Sequence, residues 1–203
     1  MHIRPGTPGD IPAVLAMFDS AVAWLAAHGR TGQWGERPFT GDPRRTAQVS
    51  AWAHGGGMHI AERPADPAPA DPAPADPAPA GPSAQPSADP GTGTAPGGHT
   101  TGGVPAGCIV LGDAHDYVTP ATEPELYVQA LVTGRRHAGH DVGRTLLAFA
   151  ADQARERGLH LLRVDCYAGG DGRLVAYYES CGFTRQAPFT VGEWPGMLLH
   201  RRL

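Results

Sequence analysis

The stretch E-L-Y-V-Q-A-L-V-T (125–133), followed by G-R-R-H-A-G-H-D-V-G (134–143), decides the fold of this chain of 203 residues. Its first part is rich in Val, Leu and Tyr, which favours a β-strand. The glycine-containing turn leads into a segment whose apolar residues recur on one helical face: Val142, Leu146, Leu147, Ala150 and Ala154. Because the first amides of a helix lack partners and lie at the positive end of its dipole, this strand–turn–helix predicts an anion site at 134–143.

The pattern continues on the C-terminal side of this helix. Arg155 and Arg157 fall in its last turn, and Gly158 follows as the expected C-cap. A second strand is predicted over 162–166 and a second helix over about 174–181, which carries Y-E-S-C-G-F (178–183).

The N-terminal part also contains predicted strands and helices. A strand is predicted at Ile3, followed by a helix from Thr7 and Asp10 to His28-Gly29 and a second helix from Asp42-Pro43 to about His54. Strands are predicted at 58–61 and 108–111, and they are expected to pair as a hairpin. Two last strands are predicted at 189–191 and 197–201. The resulting order is β-α-α-β-β-β-α-β-α-β-β, a mixed α/β (α+β) fold.

A compositional break runs from Arg63 to Gly103. The segment repeats A-D-P-A-P and then becomes rich in Gly, Ser, Thr and Pro, with almost no apolar side chain larger than Ala. Such a segment cannot bury enough surface to offset its ordering entropy. We therefore predict one domain, 1–203, interrupted at 63–103 by a disordered insertion that replaces a tight turn.

Charge and cysteine content argue against several classes of partner and of fold. The net charge is −4 without a Lys/Arg block, so neither nucleic acid nor a membrane surface is an expected partner. The N-terminus lacks a secretory h-region, no run is expected to approach a membrane span, and three scattered cysteines do not form a disulfide framework. Cytoplasmic residence is the expectation. His137 and His140 lack further ligands, so no metal site is expected.

Two motifs, A-G-H-D-V-G (138–143) and Y-E-S-C-G-F (178–183), resemble those of the GNAT superfamily of acyl-CoA-dependent N-acyltransferases. Asp141 stands where the family usually has its first loop glycine, and Gly143 matches the second. The resemblance implies a central mixed, mostly antiparallel sheet whose fourth and fifth strands splay apart, flanked by helices. It also implies acetyl-CoA as the acyl-donor cosubstrate, without a metal.

The resemblance also implies the residues of the site. The strand before the loop, the loop itself and a position ahead of the second motif would bind the cofactor: Leu131, Val132, Thr133, His137, Ala138, Gly139, His140, Asp141, Val142, Gly143, Arg144 and Asp171. Tyr178 maps onto the usual proton donor for the leaving thiolate. The alternative, in which Tyr177 and Tyr178 are core aromatic residues, stays open.

The general base is less determined. Glu125, Tyr127 and Gln129 share one face of an extended strand, and many relatives carry Glu where this chain has Tyr127. Glu125 could act through a water or be a solvated charge at the strand end. Asp165 is a weaker candidate, and an amine that arrives partly neutral needs no base.

Gln33-Trp34 resembles a G-x-x-Q-W loop on the acceptor side of many relatives, and either contacts the acceptor, together with Tyr127 and Gln129, or serves as a hydrophobic anchor. The function implied is acetyl transfer from acetyl-CoA to a primary amine of a small molecule or peptide by direct attack, in a monomer or a homodimer. The alternative is a catalytically weak CoA-binding sensor or interaction module. CoA release with a panel of amines, set beside acetyl-CoA binding alone, separates the two.

Overall fold

The computed structural model describes residues 1–64 and 103–203. Its strands are β1 (His2–Pro5), β2 (Met58–Pro64), β3 (Gly103–Gly112), β4 (Leu126–Thr133), β5 (Leu161–Tyr167), β6 (Thr184–Val191) and β7 (Trp194–Arg202). Its helices are α1 (Ile11–Ala27), α2 (Pro43–His54), α3 (Val142–Glu156) and α4 (Arg173–Ser180). The order of elements confirms the sequence prediction.

The strands form one seven-stranded sheet in the order β1-β2-β3-β4-β5-β7-β6. Only β4 and β5 run parallel, and every other neighbouring pair is antiparallel. The predicted mixed, mostly antiparallel sheet is thereby confirmed. The connection between the two parallel strands is α3, as a parallel crossover requires.

A separate apolar core covers each face of the sheet. On one face, α3 and α4 bury residues such as Leu146 and Val175 against β3, β4 and β5. On the other, α1 and α2 bury Phe18 and Val49 against β2, β3 and β4. The helices α3 and α4 therefore lie on the opposite face of the sheet from α1 and α2.

The two parallel strands stay together over only part of their length. Leu126, Tyr127 and Val128 pair with 162–164, and no pairing continues beyond Val128. On the other edge of β4, Leu111 pairs with Val128 and Val110 with Ala130, so Gln129 is the extra residue of a bulge. The bulge interrupts the strict alternation that placed Gln129 on one face with Tyr127. The predicted splaying of the fourth and fifth strands is confirmed.

The hairpin of β2 and β3 forms as predicted but is longer. Arg63 pairs with Val104 and Pro64 with Gly103, beyond the predicted strands at 58–61 and 108–111. The predicted insertion boundaries at Arg63 and Gly103 were therefore too wide, because ladder hydrogen bonds extend past the apolar residues that reveal a strand in sequence. The rest of the predicted insertion lies outside the described residues.

The expectation that no run approaches a membrane span was wrong by length and composition. Within the described part of the chain, Pro8–Ala27 has a mean hydropathy of 1.4, enough for a membrane-crossing helix. The core helices of soluble proteins and N-terminal signal sequences have the same length and composition, so these two properties alone do not identify a membrane span. Here Val14, Phe18 and Val22 of α1 are buried in the core against the sheet.

Candidate active site

A cavity of about 770 Å³ occupies the gap that opens where β4 and β5 separate. Its walls come from α1, α2 and the loop between them, the β3–β4 loop, β4, the start of α3 and the loop before it, β5, α4, the end of β6 and the start of β7. The predicted site residues that line it are Gln33, Trp34, Gln129, Leu131, Val132, Thr133, His137, Ala138, Gly139, Asp141, Val142, Gly143 and Tyr178. Since the gap interrupts the sheet, groups on opposite faces can reach one another through it.

The N-terminus of α3 opens into one end of this cavity. The amides of Val142, Gly143 and Arg144 donate to no carbonyl or side chain in the described ranges, and the first bond of the helix is Thr145 N–H to the carbonyl of Asp141, 2.9 Å. Free amides at a helix N-terminus, together with the helix dipole, attract an anion. The predicted anion site thus has the required backbone.

Asp141 and Gly139 shape the loop through their backbone. Gly139 has a φ of 81°, and Asp141, at the N-cap of α3, has a φ of 52° in the left-handed region. Asp141 is the one residue other than glycine with positive φ among those the structure describes. This conformation explains why a glycine suits the position, and why Asp, which tolerates it better than most residues, can replace it.

Gly143 lies where there is no room for a side chain. A Cβ built on it would overlap the hydroxyl of Tyr177 and come within 3.7 Å of Thr133. Burial raises the pKa of Tyr177 above its ordinary value, so the phenol stays protonated at neutral pH. Tyr177 therefore stands at the predicted anion site, one residue before the tyrosine that was predicted to be catalytic.

Positive charge at this end comes from Arg135. Its guanidinium lies 4.0 Å from the centre of the Trp24 ring, and both residues line the cavity. The neighbouring Arg136 donates to Nε2 of His137 at 3.0 Å, and His137 also lines the cavity. A cation held on an aromatic face keeps its donors available to a bound anion.

Three residues predicted to bind the cofactor lie outside the cavity lining. His140 is exposed, and its ring nitrogen is 3.2 Å from the carbonyl of Ala138. Arg144 donates to the carbonyl of Ser180 at 2.7 Å and so ties α3 to the end of α4. Asp171 pairs with Arg30 at 2.9 Å, which joins the loop before α4 to the α1–α2 loop.

Tyr178 lines the cavity from α4 and is 6% exposed. Its ring packs at right angles on Phe183, with centroids 5.8 Å apart. Burial raises the pKa of its phenol well above the ordinary value, and the nearby Cys166 and Tyr177 add to the rise. The hydroxyl makes no hydrogen bond to another described residue. It is thus a protonated donor without a protein acceptor.

Glu125 is placed away from the cavity. Both of its carboxylate oxygens accept hydrogen bonds from Arg163, whose side chain is completely buried. Arg163 also donates to the carbonyl of Thr119 at 2.9 Å. This arrangement makes Glu125 the partner of a buried charge.

Tyr127 is also placed away from the lining. Its side chain is fully buried, and its hydroxyl donates to Asp165 at 2.5 Å. Burial, with the charge of Asp165, raises its pKa. Asp165, which was the weaker candidate for the base, lines the cavity instead.

Gln33 and Trp34 reach the cavity from the α1–α2 loop. Trp34 packs edge-on against Phe18 at 5.3 Å, and the carbonyl of Gln33 accepts a hydrogen bond from Nε1 of Trp194 at 3.1 Å. Trp34 is therefore both an anchor of the loop and part of the wall. Gln129 donates to the carbonyl of Asp113 at 2.9 Å, which ties the bulged residue to the chain just after β3.

Sequence reasoning missed several wall residues on this side of the cavity: Phe39, Gln48, Trp52, His115, Tyr117, Tyr167, Val191 and Trp194. Most lie in loops or at strand ends far apart in sequence, where no spacing marks them. Tyr167 had a usable signal, since it shares a strand face with Asp165 at i, i+2 spacing. In residues 1–64 and 103–203, no group of three or more His, Cys, Asp or Glu side chains could hold a metal ion.

The comparison with known families agrees with this geometry. The sequence profile of the Acetyltransferase (GNAT) family matches residues 68–183, more than half of the chain. The chain belongs to the GNAT acetyltransferase family. It is accordingly an N-acetyltransferase, an enzyme of the acyltransferase class. No curated protein sequence matches the chain significantly.

Solved structures share the GNAT fold at low sequence identity. A ribosomal-protein-alanine N-acetyltransferase from Brucella melitensis is 20% identical, with 100% of both chains covered and a TM-score of 0.59. The protein yncA from Salmonella typhimurium, solved with its cofactor acetyl-CoA, is 18% identical over 100% of this chain and 94% of its own, with a TM-score of 0.57. A chain of the NatC complex bound to Gag peptide and CoA is 14% identical over 100% and 98%, with a TM-score of 0.58.

Proposed function

We propose that this GNAT enzyme transfers an acetyl group from acetyl-CoA to a primary amine by direct attack, within the cavity between the separated ends of β4 and β5. The observation that carries the proposal is the joint placement of two features in that cavity. The free amides that begin α3 lie at one end, and the protonated hydroxyl of Tyr178 lies on its wall. The first feature suits a pyrophosphate and the second suits a leaving thiolate.

In this proposal the pyrophosphate of acetyl-CoA binds the amides of Val142, Gly143 and Arg144, next to Arg135. The pantetheine then lies along Leu131, Val132 and Thr133, where β4 has no partner on the β5 side and its backbone groups are free to bind an amide chain. The acetyl-CoA of the Salmonella protein and the CoA of the NatC complex support a cofactor of this class.

The reaction requires one bond to form and one to break. The neutral amine nitrogen attacks the thioester carbonyl, the N–C bond forms, the C–S bond breaks, and the nitrogen gives up its proton. The departing CoA thiolate takes a proton from the hydroxyl of Tyr178. Because burial raises the pKa of this phenol, it reaches the transition state protonated, as a general acid must.

Glu125 is not assigned as the base. Its carboxylate is held by the buried Arg163, and withdrawing it would leave that charge unpaired. Its role in this proposal is structural.

The test is a pair of measurements on the full chain. Calorimetry measures acetyl-CoA binding, and a thiol assay measures CoA release with a panel of primary amines that includes small amines and peptide N-termini. We expect binding, and release that depends on the amine. Binding without release from any amine would favour the sensor or interaction module, and the absence of binding would contradict the proposed cofactor site.

A further inference from the structure

One carboxylate on the acceptor side of the cavity lacks a cationic partner. Asp165 lines the cavity and accepts hydrogen bonds from the hydroxyls of Tyr127, at 2.5 Å, and Tyr117, at 3.4 Å. It takes part in no ion pair within residues 1–64 and 103–203. The buried Tyr127 phenol fixes the carboxylate in place without neutralising it.

The nearest cation along the strand is already occupied. Arg163 and Asp165 are two residues apart on β5 and so share a face of the strand. Arg163, however, is bound through two donors to Glu125 and through a third to the carbonyl of Thr119. The negative charge of Asp165 is therefore left for a group that enters the cavity.

The surroundings of this carboxylate are aromatic. The Tyr117 ring stacks on Phe189 at 5.8 Å and on His115 at 5.1 Å, and Trp194 lies 5.8 Å from Tyr167. Tyr117 is 48% exposed, and it lines the cavity together with Tyr167 and Trp194. Aromatic faces attract cations and cover apolar groups, so the wall complements both parts of an amphipathic amine.

We propose that Asp165 binds the ammonium group of the acceptor, and that the acceptor is a primary amine that is cationic at neutral pH, carries an aromatic or apolar body and has no carboxylate beside its nitrogen. This inference rests on the proposed function. A carboxylate beside the amine would meet Asp165 as a like charge. Only Gln33, Gln48 and Gln129 add hydrogen-bonding side-chain amides to that part of the lining.

The same carboxylate completes the reaction. The bound ammonium gives one proton to Asp165, and the neutral nitrogen then attacks the thioester. Once the N–C bond has formed, the nitrogen releases a second proton to solvent, and the C–S bond breaks as the thiolate takes a proton from Tyr178. The Asp165 carboxyl then loses its proton to solvent and the Tyr178 phenolate takes one back, so the net reaction releases one proton and needs no further reactant.

The test compares benzylamine with benzyl alcohol, which has the same body without the charge. Each is titrated by calorimetry into the free protein and into the protein saturated with CoA. We expect benzylamine to bind about 10-fold tighter or more, because a charge-assisted hydrogen bond is replaced by a neutral one. In Asp165→Asn the affinity for benzylamine should fall to that for benzyl alcohol. The affinity for benzyl alcohol should be the same in the variant and in the wild-type protein.

The matched control is Tyr127→Phe, which removes one hydrogen bond to the carboxylate and keeps the charge, so the preference for benzylamine should persist.

In the activity assay, benzylamine should also be used about 10-fold or more better than phenylglycine, which differs from it by an α-carboxylate. Any one of three results would overturn the proposal. They are equal binding of benzylamine and benzyl alcohol by the wild-type protein, a preference for benzylamine over benzyl alcohol that persists in Asp165→Asn, and better use of phenylglycine than of benzylamine by the enzyme. Failure of acetyl-CoA to bind would instead contradict the proposed function, and the titration of the free protein would still test the ammonium site.

Discussion

The paired and the separated halves of β4 and β5 belong to the same two strands but differ in how their charged side chains are neutralised. In the paired half, Leu126–Val128 lie beside 162–164, and the charge of Arg163 is neutralised by Glu125. In the separated half, the strand backbones face a cavity, and the charge of Asp165 meets only phenol hydroxyls. The closed part of the ladder thus neutralises its buried charge within the protein, whereas the open part leaves a carboxylate at the wall of a cavity.

The difference shows why a carboxylate cannot be assigned a role from its residue type and strand alone. Glu125 and Asp165 were both candidates for the base, yet one is held by a buried guanidinium and the other faces the cavity. Variants in the paired half should change stability, and variants in the separated half should change binding or turnover.

The largest effect is expected in the paired half. Glu125→Ala leaves the guanidinium of Arg163 buried without its partner, which should lower the free energy of unfolding by about 3 kcal/mol or more. Urea denaturation measures this loss. The folded fraction should keep its turnover number, and a specific loss of turnover with unchanged stability would restore Glu125 as a catalytic base.

The next effect is expected at the wall of the cavity. Tyr178→Phe keeps the ring and removes the proton donor, so kcat should fall by about 100-fold with little change in acetyl-CoA affinity. Tyr177→Phe is the matched control on the same helix and should leave kcat within a few-fold of wild type. Equal rates in the two variants would mean that solvent protonates the thiolate.

A smaller effect is expected where α3 begins. Gly143→Val places side-chain atoms against the Tyr177 hydroxyl and Thr133, so the loop must shift away from its anion-binding geometry. Loss of one charge-assisted hydrogen bond predicts acetyl-CoA binding weaker by about 10-fold or more. Calorimetry measures the affinity, and circular dichroism checks that the fold survives. Unchanged affinity would place the phosphates elsewhere.

Asp141→Gly should have a modest and favourable effect. Glycine adopts the positive φ of this position without a Cβ, which should raise stability by about 0.5–1 kcal/mol, and it removes a negative charge from the anion loop. Acetyl-CoA affinity should rise or stay unchanged. Asp141→Asn is the control, since it removes the charge alone. Loss of binding in Asp141→Gly would give the carboxylate a positive role.

The smallest effect on the cavity is expected from the segment between β2 and β3. Because Pro64 and Gly103 are already paired, residues 65–102 can be replaced by a short glycine-containing turn without cutting the ladder. Shortening a loop changes stability by about 0.6 kcal/mol per halving, and acetyl-CoA affinity should stay the same. A large drop in melting temperature would show that the segment packs on the domain.

The fold was predictable because its signals are local. Apolar periodicity located α1 and α3. The C-cap of α3 is Arg157, one residue before the predicted one, and Gly158 follows it with a φ of 69°, the left-handed conformation that commonly ends a helix. The end of the cavity where α3 begins was also outlined by a contiguous motif. The opposite side was not, because His115, Tyr117 and Trp194 meet only through the tertiary fold.

Two errors have physical causes. Strand alternation predicted a common face for Tyr127 and Gln129, but the bulge at Gln129 ends that alternation. A charged residue at a strand end suggested a solvated or catalytic Glu125, but its buried partner Arg163 lies 38 positions away in sequence and gives no local signal.

The central claim is that the separated half of β4 and β5 holds acetyl-CoA with its thioester beside Tyr178. A crystal structure of the Tyr178→Phe variant with acetyl-CoA tests it most directly. The pyrophosphate should lie on the amides of Val142–Arg144, the pantetheine along 131–133, and the thioester sulfur next to the ring edge of residue 178. A cofactor outside the gap, or a sulfur next to Tyr177, would contradict the account.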